Sequence, residues 1–499
     1  MSESALLQSL IEAFQFFGNF NLLILIFAGV ITGVIIGIIP GIGGIVGLAL
    51  VIPFLFLMKA SEALPFAIAL LSVTFTSGAI TTILVGVPGT GPNAATLIDG
   101  FPMTEKGEGA RAVGAAFAAS GLGGVLSGVL ALGMVFLVIP LIMGLRLGDM
   151  TFIILLGLVF MGVLTGRSPT KGLISGGLGL LISFIGYQAR TGAGRFTFGT
   201  DYLYDGIQLI PFVVGLFAIP PMVHLAVHGG TIAKTSLRYQ GIAAVMMGMK
   251  DVVHHWKLWL RSSVIGYIIG VIPGVGATTA TFIAYGQAKQ FSKNRDKFGT
   301  GIVEGVIAPE SANNGKEGGA LLTTLALGIP GSGELALLLS IMLASGLVPG
   351  PTMLTEHLSL SLHLILIIIA VNLLAIVICL PLVSTLARVA SVPSGILVPI
   401  IVILGFFGAF AARSYLIDIG VAIIIGAAGV VMDRFGFSRP AMLLGFVLGF
   451  LFEKYLWYGI NIGGPTFFLT PGSLTMISII IIVLFLNPLQ KLIIRRRGR

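Results

Sequence analysis

The chain has 499 residues, of which 56% are hydrophobic and 9% charged, with a mean hydropathy of +1.07 and a formal net charge of +9. A soluble domain carries about 25% charged residues, so the composition excludes a soluble enzyme and points to a chain built mostly of membrane-spanning helices. The basic excess sits in loops and in the tail (Lys491, Arg495, Arg496, Arg497 and Arg499), which is the positive-inside pattern and not a nucleic-acid surface; it places the C-terminus in the cytoplasm.

In chain order, residues 1–19 read as a short amphipathic lead-in. They carry Glu3 and Glu12 and no Lys or Arg, so no cleaved signal peptide is expected. Residues 21–58 form an apolar segment interrupted at Pro40-Gly41. Residues 64–87 run into a second interruption, Pro88-Gly89. Residues 99–111 read as a polar loop, followed by spans at 112–145, 151–164, 172–187 and 207–227, with a polar connection at 188–205. Residues 231–261 carry Lys234, Arg238, Lys250, Lys257 and Arg261 against Asp251 alone and read as a basic cytoplasmic linker. An interrupted segment follows at 262–285, then a polar stretch at 286–316, a further break at Pro330-Gly331, and four or five more helices. Apolar runs of this length predict about ten to fourteen transmembrane or re-entrant helices. The single cysteine, Cys379, allows neither an internal disulfide nor a Cys-based metal site.

The interruptions repeat. Residues 35–43 read IIGIIPGIG and residues 268–276 read IIGVIPGVG, an offset of 233; residues 81–91 read TTILVGVPGTG and residues 323–333 read TTLALGIPGSG, an offset of 242. Glycines at four-residue spacing (Gly29, Gly33, Gly37, Gly41, and Gly266, Gly270, Gly274) predict close helix approach in both copies. The division is therefore 1–230, a first repeat with its following helices; 231–261, the linker; and 262–499, a second repeat with its following helices. Charge suggests how the copies are oriented. Segment 262–285 is flanked by Lys257 and Arg261 before it and by Lys289, Lys293, Arg295 and Lys297 after it, whereas its counterpart has only Lys59. After the second breaks the bias reverses: Lys106 and Arg111 in the first half, no Lys or Arg across 345–358 in the second. Opposite bias at equivalent places predicts inverted repeats. The expected fold is an all-α polytopic membrane protein with two inverted repeats of Pro-Gly-broken helices.

A Pro-Gly break frees backbone groups, which lipid tolerates only where they line a cavity or are buried in protein. The half-helix beyond it starts with unpaired N–H groups and a partial positive charge, suited to a carboxylate. The expected substrate-binding residues are Pro40, Gly41, Gly43, Pro88, Gly89, Thr90, Gly91, Asn93, Pro273, Gly274, Gly276, Thr278, Pro330, Gly331, Ser332 and Gly333. Asn313 and Asn314, with Thr81, Thr82, Thr323 and Thr324, offer neutral oxygens for a coupling Na⁺. Glu310 is a further cation or proton candidate, and Glu334 reads as a cap on the half-helix after Pro330-Gly331. No enzyme is expected. No Walker lysine follows a glycine cluster, and GIGGIVG at 41–47 does not fit the dinucleotide fingerprint. The His254-His255 pair lacks companion ligands.

Long stretches of the chain resemble the large membrane subunit of the tripartite tricarboxylate transporters, the TctA-like family. They are GIIPGIGG from Gly37, GVPGTGPNAATLIDGFPMTEKGEGARA from Gly86, IGVIPGVGATTATFIAYGQAKQFSK from Ile269, FGTGIVEGVIAPESANNGKEGGALLTTLALGIPGSGE from Phe298, and GLVPGP from Gly346. The resemblance implies a multi-pass carrier of the bacterial inner membrane, working by symport with a cation, Na⁺ or H⁺, and with no other cofactor. It implies two partners, a small four-helix membrane subunit and a periplasmic solute-binding protein, and a carboxylate substrate of the citrate type. Many members carry more hydroxyls after the first Pro-Gly where this chain reads IGGIVG, which bears on the identity of the carboxylate. A channel-like pore with the breaks as its filter is the alternative reading; saturable flux separates the two.

Overall fold

The computed structural model describes residues 3–39, 43–164, 168–188, 191–228, 241–389, 394–411 and 413–497. Pro40 and Gly41 of the first break lie outside these residues, as do Lys234, Arg238 and Arg499.

Helix follows helix. The first half runs α1 (Glu3–Gln15), α2 (Phe20–Ile38), α3 (Gly43–Leu55), α4 (Ala60–Val85), α5 (Ala94–Glu105), α6 (Gly109–Met143), α7 (Leu147–Leu164) and α8 (Pro169–Ser183). A two-residue hairpin, β1 (Gly186–Tyr187) against β2 (Gly194–Arg195), lies within the connection read as polar. Then come α9 (Asp201–Tyr204), α10 (Leu209–Val213), a π-helical turn at Val214–Ala218, and α11 (Ile219–His228). The second half runs α12 (Ile242–His254), α13 (Trp256–Val271), α14 (Gly276–Phe291), α15 (Glu304–Gly315), α16 (Glu317–Leu327), α17 (Gly333–Ala344) and α18 (Pro351–Thr355). It closes with α19 (Leu358–Val389), α20 (Ser394–Ala411), α21 (Leu416–Phe435), α22 (Arg439–Gly463) and α23 (Pro471–Arg497). Among the described residues, seven helices are long and apolar enough to cross a membrane and five shorter apolar helices accompany them. The protein is an all-α polytopic membrane protein.

Helix α4 is the centre. Its hydropathic span is entirely buried, so it faces protein and not lipid. That explains why it carries Ser72, Thr74, Thr76, Ser77, Thr81 and Thr82, all buried. Helix α2 lies against it through small residues: a Cβ added to Gly29 would stand 2.7 Å from the Phe66 carbonyl, and one on Gly33 would collide with the Leu70 carbonyl. The second half repeats the contact, with Gly266 of α13 against the carbonyl of Ala312, 2.6 Å from an added Cβ. Gly33 and Gly266 differ by 233, and Leu70 and Ala312 by 242, so the offsets of the breaks also relate the helix pairs they interrupt.

Three stretches read as polar connections are helical. Residues 286–316 end in α15, and every residue from Gly305 to Ala326 is buried. The helix is polar because its side chains bond to one another, to Asn93 and to groups of α4, α5, α6 and α19. Asp99 makes no loop turn; it lies inside α5 and is fully buried. Its Oδ1 accepts the backbone N–H groups of Gly299 (2.9 Å), Gly301 (2.8 Å) and Ile302 (3.2 Å), and its Oδ2 accepts the Tyr285 hydroxyl (2.8 Å). One carboxylate thereby ties the α14–α15 connection to the first half. From Ile242 the basic linker is helix, and α12 packs on α6, where Arg111 forms a two-pronged pair with Asp251 (Nε–Oδ2 2.6 Å, Nη2–Oδ1 3.0 Å).

Candidate functional site

Each described break is closed by a threonine from the helix beside it. At the end of α2, the carbonyl of Ile38 accepts the Thr81 hydroxyl at 2.6 Å; at the end of α13, the carbonyl of Val271 accepts the Thr323 hydroxyl at 3.1 Å. The N–H of Gly89 donates to Thr82 Oγ1 at 3.0 Å, and the N–H of Gly331 to Thr324 Oγ1 at 3.4 Å. The preceding helices end on left-handed glycines, Gly86 (φ 77°) and Gly328 (φ 68°). These pairs are related by the same two offsets, so the freed backbone groups are satisfied twice by one device.

The Pro88-Gly89 break and the first turns of the half-helices beyond the other breaks border a cavity of about 420 Å³, within the usual range of roughly 300–1,000 Å³ for small-molecule sites. Gly43 to Val46 line it from the first turn of α3, Pro88 to Pro92 from the loop before α5, Thr278 from the first turn of α14, Glu334 from the second residue of α17, and Arg439 and Pro440 from the start of α22. Phe75, Phe217 and Pro221 complete the wall. The N-terminal ends of four helices, and the loop that leads into α5, therefore face one space; each helix end carries a partial positive charge of about half a unit.

Arg439 supplies a full charge. Its Nε pairs with Asp433 Oδ1 at 2.9 Å and its Nη1 donates to the Leu216 carbonyl at 3.2 Å. A guanidinium has five N–H donors in a planar fork, so these two contacts orient the group and leave donors for the cavity. The sequence reading missed this residue; its signal is a lone arginine at the start of a long apolar helix. Glu334 was read as a cap. It does sit where the helix dipole favours an acid, but its carboxylate has no hydrogen-bond or ion-pair partner among the described residues.

Of the expected substrate residues, Gly43, Pro88, Gly89, Thr90, Gly91 and Thr278 line this cavity. Gly333 borders it: an added Cβ would touch Ile45 and Pro440 at 3.0 and 3.1 Å. Asn93 lies just behind, where it accepts the Thr90 hydroxyl (2.5 Å) and donates to Glu310 Oε1 (2.9 Å). Pro273, Gly274, Gly276, Pro330, Gly331 and Ser332 do not line it. Gly274 packs against the main chain of Phe160 and Met161, and Gly331 against Ala320 and the Gly270 carbonyl. Pro40 and Gly41 are outside the described residues.

The six expected Na⁺ ligands are not brought together. The four threonines bond to main-chain groups of the breaks or of their own helices. Asn314 joins a buried polar cluster, donating to Asn372 Oδ1 (2.7 Å), Thr76 Oγ1 (2.9 Å) and the Ser72 carbonyl (3.2 Å) and accepting from Ser120 (2.8 Å). Asn313 donates to Glu310 Oε2 at 3.4 Å, and its own Oδ1 is buried without a partner. Glu310 Oε1 also accepts from Thr96 at 2.6 Å.

Residues 23–444 match the model of the tripartite tricarboxylate transporter TctA family. The chain is 31% identical over 441 residues to an "uncharacterized 52.8 kDa protein in TAR-I ttuC' 3'region" of Agrobacterium vitis, covering 87% of this chain and 86% of that one. It is 35% identical over 228 residues to an "uncharacterized protein in TAR-II ttuC' 3'region" of the same organism, covering 45% of this chain and 94% of that one. No solved structure matches. With its broken helices gathered round one cavity, the chain belongs to the tripartite tricarboxylate transporter TctA family, a family of membrane transport proteins that work with further subunits.

Proposed function

We propose that this chain is the translocating membrane subunit of a cation-driven, binding-protein-dependent importer of carboxylates, and that the cavity of about 420 Å³ is its substrate site. The observation that carries the reading is Arg439 at the rim of a cavity onto which four helix N-termini and the loop before α5 open. One carboxylate of the substrate meets the guanidinium fork, where a charge-assisted pair is strong and directional. Another meets the main chain around Thr90–Gly91 and Gly43, where the missing Cβ atoms of Gly91 and Gly43 let an anion reach the backbone. The duplicated helix pairs are the element that moves: two inverted copies rocking about the cavity would open it alternately to each side. The partners are a small membrane subunit and a periplasmic solute-binding protein, the membrane is the bacterial inner membrane, and the basic tail faces the cytoplasm.

The test is uptake of radiolabelled citrate, malate and succinate into cells expressing the chain with both partners, with and without an imposed Na⁺ or pH gradient. Uptake that saturates, needs the binding protein and follows a gradient is the expected result. Non-saturating flux independent of the binding protein would replace the carrier with a pore.

A further inference from the structure

A second, smaller void lies next to the substrate cavity. Its volume is about 30 Å³ and its walls include Ser72, Lys316, Glu317 and Glu334, with Phe75 and Glu334 shared with the larger space. A void of this size holds about one or two waters. Three ionisable groups meet here in the protein interior, and the substrate reading above uses none of them.

Glu317 is at the first residue of α16 and is 7% exposed. Its Oε2 accepts the Ser72 hydroxyl at 2.9 Å and the Asn372 amide at 3.1 Å, whereas its Oε1 is buried with no partner. Lys316 is 3% exposed; its ammonium lies 4.6 Å from the centre of the Phe75 ring and pairs with no carboxylate of the described residues. Glu334, from α17, is equally unpaired. Apart from α17 with Glu334 and α15, which carries Glu310, the elements that bond to α16 or pack against it bring neutral groups to this place. Helix α4 brings Ser72, α19 brings Asn372, α6 brings Ser127 to the Gly318 N–H at 2.7 Å, and α13 packs through Tyr267 and Val271. Glu310, the other buried acid nearby, differs in having both oxygens hydrogen-bonded.

Resting on the carrier reading above, we propose that Glu317 is the coupling site, taking up one proton per transport cycle, with Lys316 and Glu334 setting the local charge. With all three groups ionised, the cluster holds one net negative charge around a void of one or two waters, with Lys316 and Glu317 buried and Glu334 half-buried, an expensive state unless compensated. One proton on Glu317 removes it. A sodium ion would have to share the void with the Lys316 ammonium and would find the Ser72 hydroxyl and the carboxylates of Glu317 and Glu334, short of the usual six or so oxygens. A protonated Oε1 instead donates to a water in the void, and that water is the route by which the proton comes and goes. Coupling follows from position: a substrate carboxylate in the large cavity lies beside Glu334, adds negative charge next to the cluster and favours the protonated form, so anion and proton bind together.

The experiment uses membrane vesicles containing the full chain and both partners, radiolabelled citrate, malate and succinate as probes, and a pH dye to follow proton movement. A pH gradient without Na⁺ is expected to drive accumulation, with protons moving alongside the substrate. Glu317→Gln should lower accumulation about tenfold or more while keeping substrate exchange at equal pH on both sides; Glu310→Gln should keep proton coupling. Accumulation in the wild type driven only by Na⁺, with no proton movement, overturns the proposal whether or not the variant folds. So does a Glu317→Gln chain that accumulates substrate under a pH gradient as the wild type does. If no carboxylate is exchanged by the wild type at all, the carrier reading fails and takes this one with it.

Discussion

At the offset relating the second pair of breaks, Ser72, Thr74 and Phe75 of α4 correspond to Asn314, Lys316 and Glu317 at the α15–α16 junction. Both regions are buried, and both lie under a glycine of the neighbouring broken segment, Gly37 over Thr74 and Gly270 over Lys316. Helix α4 runs unbroken through its copy, whereas the second copy is interrupted at Lys316. The two regions also meet, since the Asn314 amide donates to the Ser72 carbonyl and the Glu317 carboxylate accepts the Ser72 hydroxyl. The lesson is a division of labour. Main-chain geometry is duplicated, because each break frees the same backbone groups and needs the same hydroxyls. At these three positions the ionisable side chains, Lys316 and Glu317, sit in the second copy only, and a buried charge is costly enough that such a place is not duplicated without a use.

The largest expected effect comes from striking the duplicated part. A Cβ on Gly89 would run into the main chain of Gly78, and one on Gly331 would stand 2.6 Å from the Ala320 Cβ. Gly89→Val and Gly331→Val should each abolish uptake while the chain still inserts, measured as transport against protein in the membrane fraction. Normal uptake in one of them would show that the two breaks are not equivalent.

A smaller effect tests the part that is not duplicated. Arg439→Gln removes a charged donor from the cavity, where a hydrogen bond to a charged group is worth about 1.5–3 kcal/mol. Substrate affinity should fall about 10- to 100-fold, read by titration of binding or by KM. Arg439→Lys should recover part of this, since charge is kept and the planar fork is lost. Unchanged affinity in both variants would move the substrate away from α22.

The smallest effect sharpens the symmetry itself. Thr82→Val and Thr324→Val each delete one hydroxyl that holds a glycine N–H at a break. Each should lower stability by about 1 kcal/mol, with similar shifts in the thermal midpoint of the detergent-solubilised protein. Clearly unequal shifts would mean that one break depends on its threonine and the other does not.

Much of the fold is readable in the chain because membrane helices are built from local signals. Long apolar runs must be helical in lipid, and Pro-Gly inside such a run must break it. Repetition at fixed offsets then marks two related units. The polar helix α15 was not readable in this way. Hydropathy reports what a segment would do alone in lipid, and 304–317 is tolerable inside only because Asn93, Thr96, Ser120 and Asn372 meet its side chains. Asp99 likewise falls in a stretch that reads as a polar loop, and only the fold brings Gly299 and Gly301, about 200 residues away, to it.

The sequence by itself determined the class of protein, the repeat, the places where helices break and the family, since each depends on short-range backbone chemistry or on the order of residues. The tertiary structure alone decided which breaks share a cavity, that Arg439 and Glu334 line it, and that Lys316 and Glu317 stand at a separate void beside it. Those facts depend on contacts between residues tens to hundreds of positions apart, and no local pattern encodes the distance between a residue in α4 and one in α16 or α22.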